Sequence, residues 1–309
     1  MRDRPTGVTE AMLAAALRDG WGIDAHEIAY LPVGAGGYHW RADDRWFLTV
    51  TAAEPAPLER ALRTAQALRR DAGLGFVLAA HGAPLRPVGP RHTLSVFPLV
   101  EGVAGDFGPH CGDRAEVVDL LVALHRATPR VRDLAPPDDL RLRGRETLAA
   151  ALPDPSWTAG PYGEPARALL AAHAAKIGHW LSELDRLTAE LAPAPRVVTH
   201  GEPHPANILT TATGKLLIDW DTVRLAPPER DLWHLTDDPF AEAGPADDPA
   251  LTRYAEATGH RISAAALSFY RLTWILADIA CFAADLRAPH TEGGDAEEAL
   301  AELHGYLDD

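Results

Sequence analysis

The sequence predicts an α+β protein, β-rich towards its N-terminus and mainly helical beyond, in one large domain or two lobes. Three observations carry this expectation. Short apolar runs separated by turn residues fill Ile28 to Val50, the pattern of a strand meander. Beyond Asp113 the apolar residues recur at helical spacing. Between those helices a polar loop, flanked by apolar runs, gathers carboxylate and amide side chains from Thr199 to Asp221.

Composition sets the outer bounds. A chain of 309 residues, 47% hydrophobic and 24% charged, is long enough to bury a sizeable core and has the balance of a soluble globular protein. Its net charge of -15 argues against a nucleic-acid partner, which would demand clustered Lys and Arg, and suits a cationic small molecule. Acidity also simply keeps a protein in solution. Cys111 and Cys281 show neither a pairing pattern nor a Cys/His metal spacing, so a disulfide scaffold and a zinc site are not expected. The opening Met1-Arg2-Asp3-Arg4-Pro5 lacks an apolar signal core, and the cytoplasm is the simplest compartment. Phe269 to Leu286 is apolar but carries Arg271, Asp278 and Asp285, which reads as a packed helix and not a membrane span.

In chain order, Thr9 caps a first helix through Arg18 that Gly20 ends, with Met12, Leu13 and Leu17 on one side. Strands follow at Ile28–Leu31, Tyr38–Arg41 and Trp46–Val50, joined by turns at Gly34-Ala35-Gly36-Gly37 and Asp43-Asp44. Pro57 to Arg70 has helical spacing, Phe76–Leu78 and Leu94–Phe97 read as the lobe's last strands, and Gly82 to Pro90 as a loop. Asp113 to Arg126 is a helix with Val117, Leu120, Leu121 and Leu124 inside and His125 as a polar end cap. From Val131 to Pro165 the chain is rich in Pro, Gly and charge, with one helical piece at Arg145–Ala151, and reads as a variable insertion. Glu164 to Leu191 reads as one long helix, and helices close the chain at 248–258, 263–286 and 297–307.

The polar loop carries the chemistry. Arg196-Val197-Val198 enters it, Glu202 and Asn207 lie on it, and after a turn at Thr213-Gly214-Lys215 the run Leu216-Leu217-Ile218 delivers Asp219. One hairpin would thus gather two carboxylates and an amide oxygen. Mg²⁺ prefers such hard ligands and takes only one or two carboxylates, with phosphate and water completing its shell. Asn207 and Asp219 suit the metal, and Glu202 suits an attacking hydroxyl. The structural alternative is a polar turn between buried strands whose side chains merely satisfy backbone groups.

These residues resemble the aminoglycoside phosphotransferase family, a branch of the protein-kinase-like small-molecule kinases. The family pattern is His-Gly-Asp-x-x-x-x-Asn followed by a strand ending Ile-Asp-Trp; here it reads His200-Gly201-Glu202 to Asn207 and Ile218-Asp219-Trp220, with Glu in place of the family's Asp. Pro228-Glu229-Arg230-Asp231-Leu232-Trp233 resembles a later family segment. The resemblance implies a bilobal kinase-like fold, with a small β-rich nucleotide-binding lobe over residues 1–100 and a larger, mainly helical catalytic and acceptor-binding lobe over 101–309, and transfer of the γ-phosphoryl group of ATP, with GTP as the alternative, to a hydroxyl of a small molecule, favouring an aminoglycoside-like or nucleoside antibiotic and hence resistance. It implies that His200 and Asp231 brace the loop, that Gly34, Gly36 and Gly37 cover the nucleotide phosphates, and that Phe97 and Leu99 belong to the adenine-binding hinge. Asp237, Asp238 and Asp278 become candidates for a cationic acceptor. The family's strand lysine is missing, because Thr49 stands at its position and the chain's lysines, Lys176 and Lys215, are distant in sequence. Arg41 is then the candidate cation. Glu202 and Thr49 keep a nucleotide-binding pseudokinase open beside the antibiotic kinase and a metabolic kinase acting on a choline-like, sugar or amino-alcohol substrate. Such a protein would act as a monomer or homodimer.

Overall fold

The computed structural model describes residues 3–34, 36–105, 114–191, 194–236 and 248–308. They form two compact units, one of Asp3–Asp138 with Pro195–Ile262 and one of Asp139–Ala194 with Ser263–Asp309.

The first unit begins with helix α1 (Glu10–Trp21), whose N-cap Thr9 accepts the Met12 N–H at 3.3 Å. It runs past Gly20 and ends at Gly22, which takes the left-handed conformation and gives its N–H to the Arg18 carbonyl, while the Ile23 N–H bonds the Leu17 carbonyl. Strands β1 (Ile28–Leu31), β2 (Tyr38–Ala42), β3 (Trp46–Thr51), β4 (Arg86–Val88) and β5 (His92–Pro98) make one antiparallel sheet in the order β1-β2-β3-β5-β4. Alternation along the strands separates its faces. Trp40, Ala42, Trp46, Leu48, Val50, Leu94 and Val96 pack with Leu13 and Leu17 of α1 into a core. His39, Arg41, Phe47 and Thr49 occupy the opposite face. Phe76–Leu78 is not a strand of this sheet. It runs instead beside the later hairpin through a bridge from Val77 to Leu217, and the sheet's edge comes from Arg86–Val88 inside the expected loop, where Pro87 needs no donor. Helix α2 (Pro55–Arg70) follows β3.

The rest of this unit contains β6 (Val103–Ala104), α3 (Arg114–Arg126), α4 (Thr128–Val131), β7 (Val197–Thr199), β8 (Ile208–Thr211), β9 (Gly214–Leu217), β10 (Arg224–Ala226), α8 (Glu229–Leu232) and α9 (Pro249–Thr258). Here the pairing differs from the single hairpin expected. The hairpin is β8 with β9, and β7 pairs instead with β10, Thr199 opposite Arg224. The polar loop therefore leaves one small sheet and enters another. The Leu217 N–H bonds the Phe76 carbonyl and the Ile218 N–H the Asn207 carbonyl, which ties the second sheet to its surroundings.

The second unit is helical: α5 (Arg145–Ala151), α6 (Gly163–Ala172), α7 (Ala174–Leu191), α10 (Ala264–Arg287) and α11 (Gly294–Asp308). The expected single helix over 164–191 is interrupted at His173; its apolar spacing runs through the break, so periodicity alone does not find it. By length and composition α10 could cross a membrane. In the structure it packs against the other four helices of its unit, with Leu276, Ile279, Ala280 and Ala283 buried.

Candidate active site

The loop that leaves β7 is fixed by a strap of buried polar groups. Asp231, at the first turn of α8 and fully buried, accepts the His200 N–H at 2.9 Å and the Gly201 N–H at 2.6 Å, one on each carboxylate oxygen. Burial alone would raise its pKa; the hydrogen bond from His125 and the charges of His125 and Arg230 outweigh that and hold it below the usual value. His200 is fully buried. Its Nε2–H donates to the Ile218 carbonyl at 2.8 Å while Nδ1 accepts the Glu202 N–H at 3.1 Å, so the ring is neutral with its proton on Nε2. Burial lowers its pKa to about 4, in keeping with that state. His234 binds the Gly201 carbonyl at 3.1 Å, and the Thr222 hydroxyl the His200 carbonyl at 2.8 Å. Arg230 links the Thr199 hydroxyl to the Thr222 carbonyl and lies against Gly201, whose φ of 105° only glycine adopts freely.

His125 is not the end cap that sequence suggests. It is buried, with Nε2 2.9 Å from Asp231 and Nδ1 2.7 Å from the Tyr254 hydroxyl. The signal was present: Val117, Leu121 and His125 follow one another at i, i+4, i+8, which puts the histidine on the buried stripe of α3. His125→Leu removes one partner of a buried carboxylate and is expected to cost about 3 kcal/mol of stability, read as a lowered unfolding midpoint in urea.

The strap places a carboxylate-rich cluster. Glu202 is half-buried, its carbonyl accepting from the Asn207 Nδ2 at 2.9 Å. Asn207 is buried in a 3-10 turn at the start of β8, and its Nδ2 also meets His204 at 3.2 Å, which leaves the amide oxygen as its ligand atom. Asp219 follows β9 with φ 62°, a left-handed conformation uncommon outside glycine that is found where function overrides local preference. Solvent reaches its side chain, yet dense surrounding protein, then the charges of Asp221 and Glu202, push its pKa well above 3.8. Trp220 below it is buried, donates to the Leu217 carbonyl at 2.6 Å and packs edge-on against His200.

Magnesium fits this donor set. Among the described residues no group of three His, Cys, Asp or Glu side chains forms a ready metal cage. An ion that shares its shell with phosphate needs none, and the mutual repulsion around Asp219 is what a cation would relieve.

The remaining candidates are scattered. Gly34 and Gly36 take positive φ in the turn between β1 and β2, and Gly37 is buried there. The Arg41 guanidinium donates to Asp44 at 2.7 Å and to Glu27 at 3.1 Å. Phe97 pairs with Phe47 across the sheet, and the Leu99 N–H is already given to the Arg45 carbonyl at 2.8 Å. Asp237 and Asp238 lie outside the described residues. Asp278 belongs to the second unit, on α10, where it accepts from the Tyr306 hydroxyl at 2.7 Å.

Comparison with known proteins agrees with the architecture. A family model described as a phosphotransferase enzyme family matches residues 30–266. Protein StrN of Streptomyces griseus is 30% identical over 304 residues, spanning 91% of this chain and 86% of that protein. Among solved structures, spectinomycin phosphotransferase APH(9)-Ia in complex with ADP and spectinomycin superposes with a TM-score of 0.73 at 17% identity, covering 97% of this chain and 95% of that one. The choline kinase LicA from Streptococcus pneumoniae superposes with a TM-score of 0.60 at 13% identity, covering 97% and 98%. At these identities the two structures speak for a shared kinase-like fold.

Proposed function

This chain belongs to the phosphotransferase enzyme family, and from that premise we propose that it moves the γ-phosphoryl group of ATP to a hydroxyl of a small cationic molecule, an aminoglycoside-like antibiotic first among them. The observation that carries the reading is the strapped loop, in which Asp231 fixes the backbone of His200 and Gly201 beside Glu202, Asn207 and Asp219. Phosphoryl transfer asks little covalent chemistry of a protein and much positioning, which a loop fastened at both backbone groups supplies. Asn207 and Asp219 would hold the Mg²⁺ that neutralises phosphate charge. Glu202 orients the acceptor hydroxyl and takes its proton as the oxygen bonds to phosphorus and ADP departs with the electrons of the broken P–O bond. His200, kept neutral by burial, holds the Glu202 N–H and adds no charge of its own.

The acceptor reading draws on the spectinomycin bound by one fold relative and on the net charge of -15, which favours a cation. We assign nucleotide binding to residues 1–100 and catalysis with acceptor binding to 101–309, and place the enzyme in the cytoplasm. The test is ADP release from Mg-ATP, with Mg-GTP in parallel, across a panel of hydroxylated aminoglycosides, aminocyclitols, choline, sugars and amino alcohols. Turnover that depends on an aminoglycoside-like acceptor supports the reading. Turnover on choline or a sugar alone replaces it with a metabolic kinase, and tight nucleotide binding without turnover on any acceptor replaces it with a pseudokinase.

A further inference from the structure

The kinase reading leaves a chemical vacancy on the N-terminal sheet. Sites of this kind commonly set a strand lysine against the nucleotide phosphates, beneath a glycine-rich loop. Here that strand carries Thr49. Lys215 is engaged with Thr210 at 3.0 Å in the β8–β9 hairpin, and Lys176 belongs to the second unit. Arg41 shares the open face of the sheet, yet its guanidinium is bound to Asp44 and Glu27 at the opposite end of the strand from the glycines.

We propose that His39, held by Thr49 beneath the glycine turn, is the side chain that contacts the α- and β-phosphate oxygens of the bound nucleoside triphosphate. This rests on the kinase reading above. Strand register makes His39 the direct cross-strand partner of Thr49, so both side chains rise from the same face at the position the lysine would otherwise reach. The His39 Nδ1 lies 3.3 Å from the Thr49 hydroxyl, and the ring stacks on Phe47 with centroids 4.9 Å apart and planes 28° apart. The turn folds directly over the ring. A Cβ at Gly34 would come within 3.2 Å of Nε2, and one at Gly37 within 3.3 Å of Cε1. Glycines at both places therefore let the backbone approach a ring already fixed by Phe47 and Thr49, and Gly34 and Gly36 supply the positive φ that the turn needs. In the tautomer in which the threonine hydroxyl donates to Nδ1, the ring proton is on Nε2, the nitrogen that faces Gly34, where a phosphate oxygen would accept it. Burial keeps the ring neutral in the free protein, with a pKa of about 4. The site thus offers a preoriented donor where a lysine would offer a charge.

The experiment compares ATP and adenosine binding to the full chain, in wild type and in His39→Ala, His39→Gln and His39→Lys, with KM and kcat measured on whichever acceptor turns over. If the wild type prefers GTP, guanosine replaces adenosine. Loss of a phosphate hydrogen bond should weaken triphosphate binding roughly ten- to hundredfold in His39→Ala while adenosine binding moves less than about twofold, because adenosine has no phosphate to lose. His39→Gln, which keeps an N–H donor, and His39→Lys, which restores the charge, should each recover part of the loss, with the change in KM for the triphosphate. Equal losses for triphosphate and nucleoside would make His39 a packing residue and overturn the proposal, as would unchanged triphosphate affinity in His39→Ala. A wild-type protein that binds neither triphosphate fails the kinase reading itself, an outcome separate from both.

Discussion

Asp219→Asn is expected to lower phosphotransfer at least roughly a thousandfold on the proposed reading, in which Asp219 is a metal ligand, since such a ligand supports several kcal/mol of transition-state charge stabilisation. The fold should survive the exchange. Asn tolerates the left-handed conformation, φ 62°, at least as well as Asp does, and the replacement removes a charge that the free protein holds at a cost. Crowding by the surrounding protein, with Asp221 and Glu202 nearby, raises the folded-state pKa of Asp219 above its unfolded value of 3.8. The folded protein therefore binds this proton more tightly than the unfolded chain, so the contribution of Asp219 to stability is fully present below 3.8 and is lost as pH rises through the folded value. Asp219→Asn lacks that decline. In the presence of a chelator its unfolding midpoint should match or exceed that of the wild type at pH 7, and the difference should shrink as the pH approaches 4. Mg-ATP should then stabilise the wild type and leave the variant nearly unmoved. Full turnover by the variant, with its metal dependence intact, would remove Asp219 from the metal site.

Most of the fold was legible because its signals are local. Strands β1 to β3 announce themselves by alternation, and the N-cap Thr9 accepts the backbone N–H that its side chain predicts. What stayed hidden depends on pairing across distance. Val197–Thr199 reads equally well as a partner of Leu216–Ile218 or of Arg224–Ala226, since a short apolar strand does not name its neighbour. Arg86–Val88 is short, charged and contains a proline, so nothing marks it as the edge of a sheet.

The candidate site divides along the same line. Glu202, Asn207 and Asp219 can be read from spacing because one short stretch of chain delivers them. The residues that hold the loop come from elsewhere. His125 arrives from α3 and His234 and Arg230 from beside Asp231, and each is recognisable only once its target backbone group is in place. Arg41 shows the converse case. A strand arginine on the correct face looks available in sequence, and only the structure shows Glu27 and Asp44 closing on it.

The strap also predicts where a single methyl group does most damage. Gly201→Ala should cost about 3 kcal/mol or more of stability and lower turnover at least roughly a hundredfold, through two separable effects. One is backbone strain, because φ 105° lies where residues with a Cβ are seldom found, worth about 1–3 kcal/mol. The other is overlap, because the new Cβ would fall within the guanidinium of Arg230. Arg230 cannot retreat without releasing the Thr199 hydroxyl or the Thr222 carbonyl, at 2.9 Å and 2.8 Å, and Thr222 in turn holds the His200 carbonyl. Displacement would thus pass from Gly201 to the loop bearing Glu202, where small misplacements are expensive to catalysis. Gly259→Ala separates the two effects. Gly259 has φ 72° at the end of α9 and open space around its Cβ position, so it carries strain without overlap and should lose about 1 kcal/mol with turnover unchanged. In the double variant Gly201→Ala, Arg230→Ala the overlap disappears while the strain remains, and the two substitutions should be less than additive by about 1–2 kcal/mol in urea unfolding. Strict additivity would mean that Arg230 does not press on Gly201, and near-normal turnover in Gly201→Ala would mean that the loop's backbone is not what positions Glu202.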